Sequence, residues 1–147
     1  MSCKIPSEFL DLAHGPRVAA LTTVMPDGQP QTTVVWCDFD GEYLRINTMR
    51  GFRKEKNMRN NPKVTLLCYD PRQPLRYLEV RGRVVEMTET GALEHLDGLS
   101  ELYTGCSPYF GACVPAELQA TEIPVLCKIY PEHVVTLDAR PLKENVK

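Results

Sequence analysis

From Arg17 to Val24 the chain is rich in β-formers, and Pro26-Asp27-Gly28 then supplies a turn. Gln31 to Phe39 alternates, with Val35, Cys37 and Phe39 on one side and Thr32, Val34 and Trp36 on the other. A period of two followed by turn residues predicts a hairpin. Asp40-Gly41 makes a second tight turn into Tyr43 to Thr48, where Leu44 and Ile46 oppose Arg45 and Asn47, which extends the hairpin to a three-strand antiparallel meander. Asn61-Pro62 breaks the chain, Val64 to Tyr69 reads as a largely buried strand, and Asp70-Pro71 opens a short loop ending at Pro74. Tyr77 to Glu86 alternates most cleanly: Leu78, Val80, Gly82 and Val84 form a dry face, and Glu79, Arg81, Arg83 and Val85 a wet one. A last strand region runs from Val125 to Leu137, interrupted at Pro131, and the tail after Arg140 is expected to fray.

Helical spacing appears in three places. Ser7 is positioned to cap a short helix carrying Phe9, Leu12 and Ala13 and stopped by Gly15-Pro16. Thr88 or Thr90 is positioned to cap a longer one, in which Ala92, Leu96, Leu99 and Tyr103 recur at helical spacing before Gly105 ends it. A third begins near Gly51 and has only Phe52 and Met58 to pack with. Cys106 to Pro124 is irregular, with Pro108, Gly111, Pro115 and Pro124, and a connection of that length is usually functional or covered by a partner. About six antiparallel strands with helices inserted rather than alternating argue against a parallel α/β sheet. The prediction is a mainly β chain with inserted helices, a six-stranded antiparallel β-barrel, closed or split, in one domain spanning residues 1–147.

With 147 residues, 43% hydrophobic and 24% charged, the composition is that of an ordinary globular domain able to bury a core. No signal peptide and no apolar run approaching about 18 residues is read, so the cytoplasm is expected and a membrane partner is not. The net charge is −2, yet Arg50 to Lys63 collects six bases against the single acid Glu55. Such segregation points to a local anion site, and the lack of aromatics interleaved with the bases argues against nucleic acid. A helix starting near Gly51 would put Arg50, Arg53, Lys54 and Asn57 on one face, with free backbone N–H groups where the preceding strand meets it. A solvated helix face is the alternative. The six cysteines show no CxxC pair and read as reduced thiols, Cys106 and Cys113 being the more exposed two. His14, His95 and His133 lack ligand spacing, so no metal site is assigned, and no catalytic residue either.

The order Val18-Ala19-Ala20-Leu21-Thr22-Thr23, Pro26-Asp27-Gly28-Gln29-Pro30, Val34-Val35-Trp36, Leu44-Arg45-Ile46-Asn47-Thr48, Lys56-Asn57-Met58-Arg59 and Tyr77-Leu78-Glu79-Val80-Arg81-Gly82 resembles the pyridoxamine 5′-phosphate oxidase-like split-barrel family. Within it the chain is similar to the oxidoreductases that use the deazaflavin coenzyme F-420, over about residues 7–138. The resemblance implies a homodimer with a cofactor in each of two interface clefts. It implies that Asn47, Thr48, Met49, Arg53, Lys54 and Asn57 hold the cofactor phosphate, and that Val34, Val35 and Trp36 lie by the ring system. The implied reaction is hydride transfer from reduced F-420 to a small unsaturated or heteroaromatic acceptor. The rivals are an FMN-dependent oxidoreductase on the same scaffold, and a non-catalytic protein binding a flavin, deazaflavin or tetrapyrrole. Pyridoxamine 5′-phosphate oxidation itself is disfavoured, since Pro131 to Lys147 lacks an Arg-x-His motif and His133 and Arg140 are poor substitutes. Trp36 stands either as a core or dimer anchor or as a ring neighbour. Arg81 and Arg83 are expected to pair with Glu79 or Glu86, and Tyr109 and Phe110 either cover a partner's cleft or plug the barrel.

Overall fold

A computed structural model describes residues 4–139, in which seven strands form one antiparallel sheet. They are β1 (Val18–Val24), β2 (Pro30–Val35), β3 (Cys37–Phe39), β4 (Leu44–Met49), β5 (Lys63–Tyr69), β6 (Arg76–Thr88) and β7 (Pro124–Asp138). The order across the sheet is β2-β1-β5-β6-β7-β4-β3. Its two edges, β2 and β3, are consecutive in sequence and separated by Trp36 alone, so the sheet must curl until the edges meet. The result is the mainly β split barrel, with α1 (Leu10–His14) ahead of β1 and with α2 (Arg53–Asn60) and α3 (Ala92–Thr104) inserted between strands. The extra strand arises because the run read as one strand from Gln31 to Phe39 changes partner at Trp36, from β1 to β4. Val35 and Cys37 are both buried across that bend, so the alternation continues unbroken and hides the change.

Leu21, Leu44, Ile46, Leu66, Leu78, Val80, Val125 and Ile129 fill the barrel. Each such side chain contributes about 1.5–3 kcal/mol by leaving water. The β6–β7 pairing is irregular, with register shifts at Arg81/Gly82 and Val84/Glu86, the kind of local bulge that bends a strand. Pro131 therefore does not end the last strand: it sits inside β7 opposite Gly82, at the irregularity, where its missing N–H is tolerated. On the wet face Arg81 pairs with Glu79 as expected, whereas Arg83 reaches Glu132, and Glu86 takes Lys128.

The helix starts differ from the sequence reading. Ser7 opens a 3-10 turn, Ser7–Phe9, whose cap position is Pro6, and its hydroxyl bonds Glu8. α3 starts after Gly91 in a left-handed conformation, and Thr88 Oγ1 accepts the Thr90 N–H instead of capping the helix. α2 begins at Arg53 and docks through polar groups. Glu55, 2% exposed, accepts the Gly51 N–H at 2.9 Å and pairs with Arg59, while buried Asn57 donates to Thr23 Oγ1 at 3.0 Å. Its scarcity of apolar residues thus has a packing cause. Cys3 and the tail after Arg140 lie outside the described residues.

Candidate functional site

The bend at Trp36, the C-terminal end of β4 and the start of α2 face α3 and the segment 109–122 across a cleft of about 590 Å³. That volume is within the usual range for a small-molecule site, about 300–1,000 Å³. Val34, Val35, Trp36, Asn47, Thr48, Met49 and Lys54 all line it. Arg53 and Asn57, expected with them, stand outside: Arg53 is solvent-exposed, and Asn57 turns inward to Thr23 and Met25. Arg50 is also withdrawn, its Nε donating to Glu89 at 2.7 Å. The face proposed from helical spacing is therefore divided: α2 starts at Arg53, which leaves Arg50 outside the helix, and within it Lys54 lines the cleft while Asn57 packs on the barrel. The opposite wall, with Leu96, Tyr109, Cys113, Leu118 and Glu122, was not assigned from sequence. Its signal was the unusual length of the proline-containing segment, which carries no information about what that segment faces.

Trp36 is held flat against Tyr103 with ring centroids 5.5 Å apart, and Tyr109 meets it edge-on at 5.9 Å. Tyr103 is itself pinned: its Oη donates to the Cys37 carbonyl at 3.1 Å and accepts the Cys37 N–H at 3.0 Å. Burial pushes its phenol up to about 12, so it stays neutral in this role. Phe110 packs with Met49 and Leu96 in a second apolar cluster, distinct from the barrel core. Segment 109–118 is thus a packed wall of the cleft.

The other end is polar. Thr48 is 5% exposed and its buried Oγ1 has no hydrogen-bond partner. Lys54 is half-buried, which lowers its ammonium pKa, and among the described residues no carboxylate pairs with it. An ammonium and a free hydroxyl beside the uncapped first turn of α2 suit an anion, since a buried unsatisfied polar group costs about 1–3 kcal/mol. The donor set fits a phosphate, and the adjoining aromatic and aliphatic walls fit a planar ring. Cys37, Cys68 and Cys127 are buried free thiols, while Cys106 is exposed and Cys113 half-buried. Among the described residues no group of His, Cys, Asp and Glu is arranged for a metal ion.

Residues 5–123 match the model of the pyridoxamine 5′-phosphate oxidase family. The chain belongs to that family. A solved structure described as an F420 reductase shares 30% identity with it, with a TM-score of 0.76 over 89% of this chain and 98% of the other. A conserved hypothetical protein from Mycobacterium tuberculosis is 28% identical, with a TM-score of 0.69 over 95% of this chain and 88% of its own. General stress protein 26 of Bacillus anthracis, 22% identical with a TM-score of 0.61 over 89% and 92% of the two chains, shares the fold. No curated protein matches the chain. In this member of the pyridoxamine 5′-phosphate oxidase family His133 lies in a separate outer groove with Lys63 and Arg81, and Arg140 is outside the described residues. No helix among the described residues is long and apolar enough to cross a membrane.

Proposed function

We propose that the protein is an oxidoreductase that holds reduced coenzyme F-420 in this cleft and reduces a small conjugated or heteroaromatic acceptor. The observation that carries the reading is the junction, in one cleft, of the Trp36 wall with the unpaired Lys54 and Thr48. Similarity to a protein described as an F420 reductase favours the deazaflavin. The bound coenzyme would supply the hydride. The chain's own residues bind, orient and exclude water: Lys54 and Thr48 take the phosphate, Trp36 gives a face backed by Tyr103, and Leu96, Val114 and Leu118 keep the far wall dry. FMN is the second reading, because it brings a phosphate to the same end.

The two cofactors differ in charge beyond the phosphate. Of the further bases on and after α2, Arg59 is taken by Glu55, which leaves exposed Lys56 and Lys63 for the carboxylates of an F-420 glutamate tail. F-420 should bind more tightly than FMN, and added salt should weaken it more steeply, since exposed charges are screened over about 8–10 Å at physiological ionic strength. Fluorescence titration with each cofactor across a salt series checks this. Tight FMN with no F-420 binding would move the assignment to a flavin enzyme. Binding of F-420 without its oxidation, when acceptors are offered to the reduced form, would make the protein a carrier.

The functional unit we propose is a homodimer. Val34 is 70% exposed at the rim of the cleft and Phe52 is 44% exposed beside it, an apolar border that a second copy would cover. Leu66 and Val80 add nothing to this border, since both lie wholly inside the barrel. Sedimentation at micromolar concentration should give a dimer, and a monomer would count against a cleft completed by the partner.

A further inference from the structure

Behind the cleft wall a partly buried polar chain runs from Asn47 through three side chains that do not line the cleft, His95, Asp38 and Arg45. Asn47 lies at the cleft, and its amide nitrogen is fully engaged, donating to the Ala92 carbonyl at 2.9 Å and to His95 Nδ1 at 3.1 Å. An amide nitrogen only donates, so Nδ1 accepts and His95 carries its proton on Nε2. Nε2 faces Asp38 Oδ1 at 3.3 Å, and Asp38 is gripped by Arg45 through Nε at 2.8 Å and Nη2 at 2.9 Å. The His95 side chain is 5% exposed. One atom of the arrangement is left over: Asn47 Oδ1 is buried and has no hydrogen-bond partner.

We propose that His95 is a positioning residue that fixes Asn47 as a hydrogen-bond acceptor for an N–H or O–H donor of the bound ligand, and that a second proton on His95 reverses this polarity. The inference rests on the cofactor reading, in which the donor would be the heterocyclic imide N–H or a chain hydroxyl of a flavin or deazaflavin. Protonation at Nδ1 would set two donors face to face. The Asn47 amide must then turn over, giving Oδ1 to His95, losing the Ala92 bond and leaving its NH₂ as the group available to the ligand. An acceptor site becomes a donor site.

Asp38 on β3 faces His95 Nε2, and its charge is shared with Arg45 on β4. Although burial raises the Asp38 carboxyl, hydrogen bonds from His95 and Arg45 bring it below the usual range. From β7, Lys128 stands opposite Arg45 in register and is paired with Glu86 of β6, while on α3 itself Asp97 takes the Tyr109 N–H. The Ala92 carbonyl opposes the turnover, because it accepts a hydrogen bond in one amide orientation only.

The test is titration of F-420 and FMN between about pH 8 and pH 5, where histidine changes charge, with His95 ring nitrogens followed by ¹⁵N NMR at each pH. The expected result is an unprotonated Nδ1 at high pH and an affinity that falls about tenfold, one hydrogen bond's worth, as Nδ1 gains its proton. His95→Gln can accept from Asn47 and donate to Asp38 without titrating, so it should bind tightly with a flat profile. Asn47→Ala should bind about tenfold more weakly and also without pH dependence. The same pH slope in wild type and His95→Gln, or a proton on Nδ1 at pH 8, would overturn the proposal. Failure of both cofactors to bind at any pH would instead remove the cofactor reading and the ligand half of this inference, while the ¹⁵N signal still decides the Asn47–His95 bond.

Discussion

Replacing Gly82 with alanine should cost about 3 kcal/mol of unfolding free energy, at the upper end of what overpacking a core costs. Gly82 sits on β6 at the register shift opposite Pro131, where the two longest strands cross closely. A Cβ built there would run into the carbonyl oxygen of Tyr130 and come within 3.1 Å of its carbonyl carbon and 3.3 Å of Ile129 Cγ2. The first two are backbone atoms, so relief requires β6 and β7 to separate at the bend that curls the barrel. Gly98 provides the control. It lies on the exposed side of α3, a Cβ added there would meet nothing within 4 Å, and alanine should stabilise by about 0.4–1 kcal/mol. Urea unfolding of both variants checks the contrast, and equal midpoints would mean that the strand crossing yields without cost.

The barrel was readable from the chain wherever burial follows a period of two. Leu44 and Ile46, and Leu78 and Val80, are buried at the positions their alternation requires. The break at Trp36 was not readable, because a strand that bends from one partner to another keeps its inside and outside faces. The same limit applied to Pro131, which looks like an interruption until the irregularity opposite Gly82 is known. In the cleft, the residues gathered from β2 and β4 are local in sequence and share one end of the barrel. The far wall comes from α3 and segment 109–122, brought over by long-range packing of Phe110 on Met49 and Leu96. The charged helix shows a further reason for partial legibility. The six bases from Arg50 to Lys63 announce an anion, but ion pairs with Glu89 and Glu55 withdraw Arg50 and Arg59, and these depend on partners that spacing alone does not reveal.

Lys54→Ala should weaken cofactor binding by about 1.5–3 kcal/mol, roughly tenfold to a hundredfold, the value of one charge-assisted hydrogen bond. Arg53→Ala, one residue away but facing solvent, should change affinity by less than about 1 kcal/mol, the range of an exposed charge. Lys54 lines the cleft without an acid partner, so removing it relieves a half-buried charge and should leave the melting temperature of the empty protein unchanged or slightly higher. The pH dependence has a defined sign. Binding an anion requires the ammonium, and burial lowers the pKa of that ammonium in the free protein. An anion bound beside it raises the pKa again, so binding takes up a proton between the two values. Affinity should therefore decline on the alkaline side at a lower pH than an ordinary lysine would give, and the decline should vanish in Lys54→Ala. Calorimetric titration in buffers of different ionisation enthalpy reads the proton uptake directly. If Lys54→Ala binds as well as the wild type and loses stability instead, the lysine serves the fold, and the anion end of the cleft must be sought in Thr48 and the backbone of α2.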